Sequence, residues 1–293
     1  MEKYAINYSS NMNDGIISSA KMWYPYLSAS EKNQIFLQRR MKLGDRIGFS
    51  GLNMIMNTQK NANNLDKYED GKAILITKQM IEGKKDLYME VDPVCDIMMI
   101  SHETPGVSLM YAVADCPTIT VEDPTQGILA FAHCGCEYID RNLPMQTVEA
   151  LQKEAASKVE NLRVYVGPHA QINDYIYAGY PKWATDSMKA HVYPMTKQGF
   201  EDKNLHMIDI KGALAEQFRQ AGIKHENVYY SKENTIKDNY YSNSISSQYY
   251  FDPANRMPNK NGRFATGAFY PEEHNYTPYA TAERMPNLVF VKK

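Results

Sequence analysis

The sequence predicts an α+β fold. Strand-like segments are mixed with only three segments of clear helical pattern, which favours an α+β arrangement over a regular alternation of strands and helices. The chain has 293 residues, and 43% of them are hydrophobic. This length supports a sizeable buried core in one large domain or two small ones. No fixed-period repeat or low-complexity linker divides the chain.

The predicted helices have apolar residues at helical spacing and polar or glycine residues at their ends. Ser30 is expected to cap the first helix and Gly44 to stop it, and Thr147 is expected to cap the second helix. Gly222 is typical of the C-terminal end of the third helix. The three helices are predicted over residues 30–44, 144–160 and 209–223.

The predicted strands are short apolar or alternating runs between turn residues. Segment 188–195 has no clear pattern and is expected to be irregular. Two runs surround a short turn between Ala114 and Cys136. The other strand predictions are 72–80, 85–91, 107–115, 125–133, 162–168, 262–270 and 287–292, and residues 53–65 are expected to be a strand that runs into a polar loop.

The charge balance excludes several classes of partner. The formal net charge is −2 and the sequence pI is about 6.4. We therefore expect neither nucleic acid nor a membrane as a partner. No apolar run reaches the roughly 18 residues of a spanning helix, and the N-terminus has no secretory-signal pattern. The four cysteines fall within one segment, which indicates reduced thiols and a cytoplasmic location.

The stretch around Cys116 carries the strongest chemical signal. Cys116 follows Asp115 at the end of an apolar strand, and His133 ends the next one. If these strands are neighbours, both side chains meet at one edge of a sheet. A thiolate and a neutral imidazole suit zinc, and they also suit a nucleophile with its base. The residues leave both alternatives open.

Three further residues are candidates for the same site. His169 follows a Gly-Pro pair at a strand end, and His102 lies in the loop before the Cys116 strand. Cys136 can join only if the strand turns after His133, because alternation puts Cys134 and Cys136 on the face opposite His133.

Several motifs resemble those of the bacterial laccase-domain proteins, also called polyphenol oxidases and seen mainly as zinc-dependent purine nucleoside phosphorylases. The residues "ADCP" at 114–117, "DP" at 123–124 and "HCGCE" at 133–137 are similar to that family's A-D-C-P, D-P and H-x-G-W-R-G elements. Weaker similarities continue in the same order over residues 50–270. The resemblance implies a single domain over 1–293, with two mixed sheets flanked by helices, and a small-molecule substrate.

The resemblance also implies a metal site. By position, the family's three zinc ligands correspond to Asn61, Cys116 and His133, and Gln59 occupies the position of the family's Gln. An amide is a poor zinc ligand compared with imidazole. The third ligand is therefore open between the candidates already named, which are His169, His102 and Cys136.

The phosphate chemistry of the family is disfavoured here. Glu137 stands where the H-x-G-W-R-G element has arginine, and a carboxylate repels a phosphate dianion that arginine would clamp. We therefore expect ordinary phosphorolysis to be lost. Together with Gln59, Asn61 and His169, Glu137 is a candidate for the substrate pocket.

Three functions follow from these observations. The first is a divergent enzyme of the family that uses Asp115, Cys116 and His133, with zinc or another metal, on a nucleoside-like or other small molecule. The second is a metal-free Cys-His hydrolase, deamidase or acyl-transfer enzyme. The third is a non-catalytic ligand-binding or interaction protein on the same fold. The sequence does not indicate the oligomeric state.

Overall fold

The computed structural model of the chain describes residues 5–14, 27–57, 68–247 and 250–271, together with the backbone of 289–290. The helices are α1 (Ala29–Ile47), α2 (Lys78–Ile81), α3 (Leu87–Glu90), α4 (Cys136–Asp140), α5 (Leu143–Ala155), α6 (Ile210–Gln220) and α7 (Asn243–Ser246). The strands are β1 (Ile6–Ser9), β2 (Met54–Ile55), β3 (Ala73–Ile76), β4 (Ile97–Ser101), β5 (Ser108–Val113), β6 (Thr118–Asp123), β7 (Ile128–His133), β8 (Arg163–Val166), β9 (Ile176–Ala178), β10 (Val192–Met195), β11 (Leu205–Ile208), β12 (Val228–Tyr230), β13 (Phe264–Phe269) and β14 (Val289–Phe290).

Two mixed sheets form the centre of the molecule. The first has the order β14-β1-β13-β5-β2, and the second has the order β12-β8-β6-β7-β4-β3. Most neighbours are antiparallel, and the pairs β2–β5, β3–β4 and β8–β12 are parallel. These sheets confirm the predicted α+β class. A third, antiparallel sheet of order β10-β11-β9 was not predicted.

Strand alternation separates the core into layers. In β7, Leu129 and Phe131 pack toward the five-stranded sheet, against residues such as Leu109. Ala130 and Ala132 belong instead to the cluster that the six-stranded sheet shares with α5 and α6. A third cluster joins the other face of the five-stranded sheet to α1. The order of layers is therefore helix, sheet, sheet, helix, as the resemblance implied.

Local capping chemistry explains where several elements begin. Helix α1 starts after Ser28, whose hydroxyl and backbone form a reciprocal capping box with Glu31. The predicted cap, Ser30, lies inside the helix, which also continues past Gly44 to a left-handed cap at Gly48. Thr147 is also inside its helix, where its hydroxyl donates to the carbonyl of Leu143 at 2.8 Å.

Two element predictions were wrong. Segment 85–91 was expected to be a strand, but it contains α3, because the side chain of Asp86 caps the helix by accepting from the amide of Tyr88. Segment 188–195 was expected to be irregular, but its second half is β10, which pairs with β11 over four residues. None of the helices in the described residues has the length and apolar composition that spanning a bilayer requires.

Candidate functional site

The β6–β7 hairpin brings Cys116 and His133 to the same end of the six-stranded sheet. Thr118, the first residue of β6, lies opposite His133, the last residue of β7. The amide of Cys134 then donates to the carbonyl of Pro117 at 2.8 Å, so the pairing continues past the named strands. Cys116 is the next residue along this edge. The predicted meeting of the two strand ends is therefore present.

Asp115 makes the sharp turn that precedes Cys116. Its φ of 73° lies in the left-handed region, which Asp tolerates better than most residues that carry a side chain. The carboxylate is buried, and it accepts from the hydroxyl of Thr235 at 3.0 Å and from the amide of Ser244 at 2.7 Å. Burial still raises the pKa of this carboxyl above its usual value, because these hydrogen bonds compensate only part of the desolvation. Asp115 therefore fixes the backbone that presents Cys116.

A buried lysine holds the segment that binds Asp115. The ammonium of Lys260 donates to the carbonyl oxygens of Thr235 at 3.2 Å, Ile236 at 2.6 Å and Asp238 at 2.6 Å. Its own carbonyl accepts from the amide of Ser242 at 3.0 Å. Lys260 therefore stabilises the segment that carries Thr235 through hydrogen bonds to its backbone carbonyls.

A pocket of about 270 Å³ opens beside Cys116. Its wall includes four aromatic side chains, those of Tyr138, Tyr175, Tyr177 and Trp183. Tyr177 makes edge-to-face contacts with Tyr175, at 5.4 Å between ring centroids, and with Trp183, at 5.9 Å. Flat aromatic surfaces of this kind suit a planar ligand, since stacking on them depends little on the exact ring.

His133 lies among rings and near a cation. Its imidazole is 5.6 Å from the ring of Tyr111 and 6.4 Å from that of Tyr138. Burial, together with the positive charge of Arg263, lowers the pKa of His133 to about 4. The ring is therefore neutral near pH 7, which is the form that coordinates a metal ion.

Cys116 is also neutral in this environment. Burial, together with the nearby carboxylate of Asp115, raises the pKa of its thiol to about 12. The guanidinium of Arg263 and the amide of Cys136 act in the opposite direction. A neutral thiol and a neutral imidazole are not the thiolate–imidazolium pair that activates a free cysteine nucleophile. The directions of both pKa shifts are therefore unfavourable for the metal-free cysteine enzyme.

The candidate third ligands lie in different places. His102 is at the opposite end of the hairpin, where its ring Nδ1 is 3.1 Å from the carbonyl of Gly127, so it cannot share an ion with His133. The ring of buried His169 lies 2.9 Å from the carbonyl of Gly167, and the charges that act on it are those of Lys211 and Asp209.

Cys136 is the third-ligand candidate that shares the pocket with Cys116. Among the described residues, however, no group of three His, Cys, Asp or Glu side chains is placed to hold a metal ion. Cys116 and His133 are suitable zinc donors, but two donors are fewer than the three of a catalytic zinc. We therefore assign no chemical step to a metal.

The remaining pocket candidates are only partly placed. Glu137 is exposed and lies on the pocket wall. Gln59 and Asn61 lie outside the described residues. His169 is buried away from the pocket lining that the structure describes.

Arg263 is a functional candidate that the sequence reasoning missed. It immediately precedes β13, and its charge acts on Cys116, Asp115 and His133. The sequence placed this segment in a strand but gave no sign that its first arginine reaches the hairpin end. Arg263 brings positive charge to a site where the sequence has Glu137 in place of the arginine of the H-x-G-W-R-G element. The four aromatic residues of the wall were missed for the same reason, because they come from separate segments.

The fold agrees with the comparison to known proteins. A family model described as multi-copper polyphenol oxidoreductase laccase matches residues 31–250. The chain therefore belongs to this family. Among curated proteins, a purine nucleoside phosphorylase of Staphylococcus epidermidis is 27% identical over 136 residues, which cover 45% of this chain. The match spans about half, 48%, of that relative's own length.

Solved structures share the fold at low sequence identity. The YfiH hypothetical protein of Bacillus licheniformis has a TM-score of 0.59 at 15% identity and covers 81% of each chain. YlmD from Geobacillus stearothermophilus has a TM-score of 0.58 at 18% identity and covers 81% of this chain and 80% of its own. The Neisseria meningitidis protein NMB0706 has a TM-score of 0.55 at 14% identity and covers 82% of each chain. These similarities confirm the architecture.

Proposed function

We propose that this chain is a divergent enzyme of the polyphenol oxidoreductase laccase family, and that it acts on a nucleoside-like small molecule beside Cys116 and His133. The observation that carries the proposal is the composition of one pocket, which is lined by Cys116 and by four aromatic side chains. A reactive group next to a stacking surface suits a ligand with a planar ring and a bond to be broken near it. The nucleoside phosphorylase among the relatives supports this choice of substrate class.

Each group at this end of the hairpin has a proposed role. Trp183 and the tyrosines of the wall would stack on the base, and Cys116 would lie beside the reacting bond, with His133 at the same end of the hairpin but outside the pocket lining. Arg263 would attract an anionic group or developing negative charge at the hairpin end. Glu137 at the pocket edge opposes a phosphate dianion, so water is as suitable an acceptor as phosphate. The proposal therefore specifies cleavage of a nucleoside-like bond but does not require phosphorolysis.

The test is release of free base from a panel of purine and pyrimidine nucleosides, with and without phosphate and with and without added zinc. Chromatography of the products distinguishes hydrolysis from phosphorolysis and deamination. Cys116→Ala is the test variant, and we expect it to lose at least about 100-fold in kcat/KM because it removes a group at the reacting centre. Cys95→Ala is the matched control, because Cys95 is a buried free thiol in the core between the sheets.

The outcomes separate the three candidate functions. Base release that depends on Cys116 supports the proposed enzyme. Ammonia release without base release, or turnover of esters or amides in metal-free protein, would favour the Cys-His hydrolase or deamidase. Tight nucleoside binding with no product under any condition would overturn the enzymatic proposal and favour a binding protein.

A further inference from the structure

We propose that Cys116 and Cys136 form a reversible disulfide in the pocket, so that this pair is an oxidation-sensitive modification site. Four free thiols are present in the chain, and these two line the same pocket. The proposal concerns the thiols themselves. Its consequence for activity rests on the proposed function.

The hairpin register brings the two backbones close together. Thr118 lies opposite His133, and the Cys134 amide bonds to Pro117. Continuing this register, Gly135 lies opposite Cys116, and Cys136 is one residue further. In an uninterrupted strand pair, the side chain of Cys136 would point to the face opposite Cys116. Gly135 is instead the N-cap of α4, so the chain turns at Cys136, and both cysteines line one pocket.

The sulfur atoms lie against the same backbone group. The amide of Cys136 donates to the sulfur of Cys116, and it also interacts with the sulfur of its own residue. A Cβ placed on Gly135 would be 3.8 Å from Cys116 Sγ, which shows how closely that sulfur approaches the 134–136 segment. The hydroxyl of Tyr175 is 3.8 Å from Cys136 Sγ and holds this side chain near the pocket. Both sulfurs therefore lie beside the start of α4, on the same pocket.

The other two thiols are poor partners for Cys116. Cys134 is fully buried in the cluster beneath α5, and it does not belong to the pocket lining. Cys95 is fully buried between the two sheets, where its thiol points toward the carbonyl of Pro93 at 3.8 Å. Cys136 is 7% exposed and Cys116 is partly exposed, so a small oxidant can reach this pair through the pocket.

The oxidation is a balanced thiol–disulfide exchange with a low-molecular-weight disulfide such as oxidised glutathione. The more exposed Cys116 sulfur, after losing its proton to water, attacks the small disulfide and releases one small thiolate. The sulfur of Cys136, on losing its proton, then attacks Cys116 Sγ and releases the second thiolate. The two protons end on the two released thiolates. One S–S bond breaks and one forms, and the pair of protein thiols has lost two electrons to the oxidant.

The disulfide would switch off the proposed reaction. It removes the Cys116 thiol from the site and places a second sulfur in the space beside it. Reduction restores both thiols, so the effect is reversible. This part rests on the proposed function, whereas the covalent bond can be detected without any activity.

The experiment uses the full chain and oxidised glutathione. Protein is incubated with a range of reduced-to-oxidised ratios, at neutral pH and at about pH 8.5, where more thiolate forms. Free thiols are then alkylated, and peptides are mapped by mass spectrometry without reduction. We expect the alkylated thiols to fall from the four present in the reduced chain to two. We expect the missing two to be found in a peptide linked through Cys116 and Cys136, and dithiothreitol to reverse the link.

Variants of the neighbouring thiols provide the controls. Cys136→Ala should stop at a mixed glutathione adduct on Cys116, whereas Cys134→Ala should still form the disulfide. Cys136→Ser, which keeps the size of the side chain, is the second variant should Cys136→Ala not fold. A link to Cys134 or Cys95, an adduct that never resolves in the unchanged chain, or four unmodified thiols under every condition would overturn the proposal. If the disulfide forms but no nucleoside is turned over in either redox state, the proposed function fails and the modification site stands.

Discussion

Asp115 Oδ1 accepts a hydrogen bond from the hydroxyl of Thr235 at 3.0 Å, although 120 residues separate them in the sequence. The other oxygen of the same carboxylate accepts from the Ser244 amide, so one buried side chain joins the residue before Cys116 to the segment that follows β12. This relationship makes the position of Cys116 depend on a distant part of the chain.

Replacing Asp115 tests how strongly this contact supports the fold. Asp115→Ala leaves the Thr235 hydroxyl and the Ser244 amide without their acceptor and places alanine in a left-handed conformation. We expect the free energy of unfolding to fall by about 2–4 kcal/mol. Asp115→Asn keeps an acceptor and tolerates the positive φ, so it should cost about half as much. Chemical denaturation gives both values, and a loss below about 0.5 kcal/mol in Asp115→Ala would show that the contact contributes little.

Zinc added to the protein should bind through Cys116 and His133. Cys116→Ala and His133→Ala should each weaken zinc binding by at least about tenfold, because each removes a direct donor. His102→Ala is the matched control, since its ring lies at the opposite end of the hairpin, beside the carbonyl of Gly127. Competition against a chromogenic chelator measures the affinities. A control variant that weakens binding as much as Cys116→Ala would show that the site has been misplaced.

Trp183 should contribute binding rather than chemistry. Its side chain lines the pocket and contacts Tyr177 edge to face. We expect Trp183→Ala to raise the Kd for a bound nucleoside by about tenfold or more, the order of one lost stacking contact, with kcat changed much less. Tyr193→Ala, at an exposed aromatic on β10, is the control. Equal Kd values for Trp183→Ala and the unchanged chain would show that Trp183 does not stack on the nucleoside.

Glu122 should make the free energy of unfolding fall as the pH rises. This buried residue of β6 accepts from the amide of Ala5, yet burial raises the pKa of its carboxyl from 4.5 to about 7. Between these two values the folded state binds the proton more tightly than the unfolded state, so stability decreases as pH rises through that window. The expected loss is about 2–3 kcal/mol between pH 5 and pH 8, by the free energy that corresponds to such a shift.

Glu122→Gln should flatten this pH profile, because the amide does not titrate. Glu149→Gln, at an exposed position on α5, should leave the profile unchanged. The measurement is chemical denaturation at several pH values from about 4.5 to 8.5. A profile of the unchanged chain that rises over this range would contradict the assignment to Glu122.

The spacing of apolar residues within single segments predicted several strands and helices correctly. The apolar runs that end at Asp115 and His133 predicted strands correctly, and the helical spacing near Leu151 predicted α5. Segment 85–91 failed because its alternating apolar residues match a strand equally well, while the cap at Asp86 decides in favour of a helix turn. A pattern of period two is a weak guide when the segment is this short.

The site was predictable only in part, because its residues come from separate segments. Cys116 and His133 lie on one hairpin, so strand pairing alone could bring them together. Arg263 and Trp183 are brought to the same end of the hairpin by the topology of two sheets and a long loop. The spacing of residues within one segment of the sequence does not predict this. Cys136 was expected to need a turn after His133, and α4 supplies that turn.

The passage from β5 to β6 has a further consequence. These consecutive strands belong to different sheets, so the chain crosses from one sheet to the other between Val113 and Thr118. Cys116 lies within this crossing, while His133 belongs to the six-stranded sheet. Any change in the angle or separation of the two sheets is therefore transmitted first to the position of Cys116 relative to His133. Substitutions of buried residues between the two sheets, far from the pocket, would therefore change the position of Cys116 relative to His133.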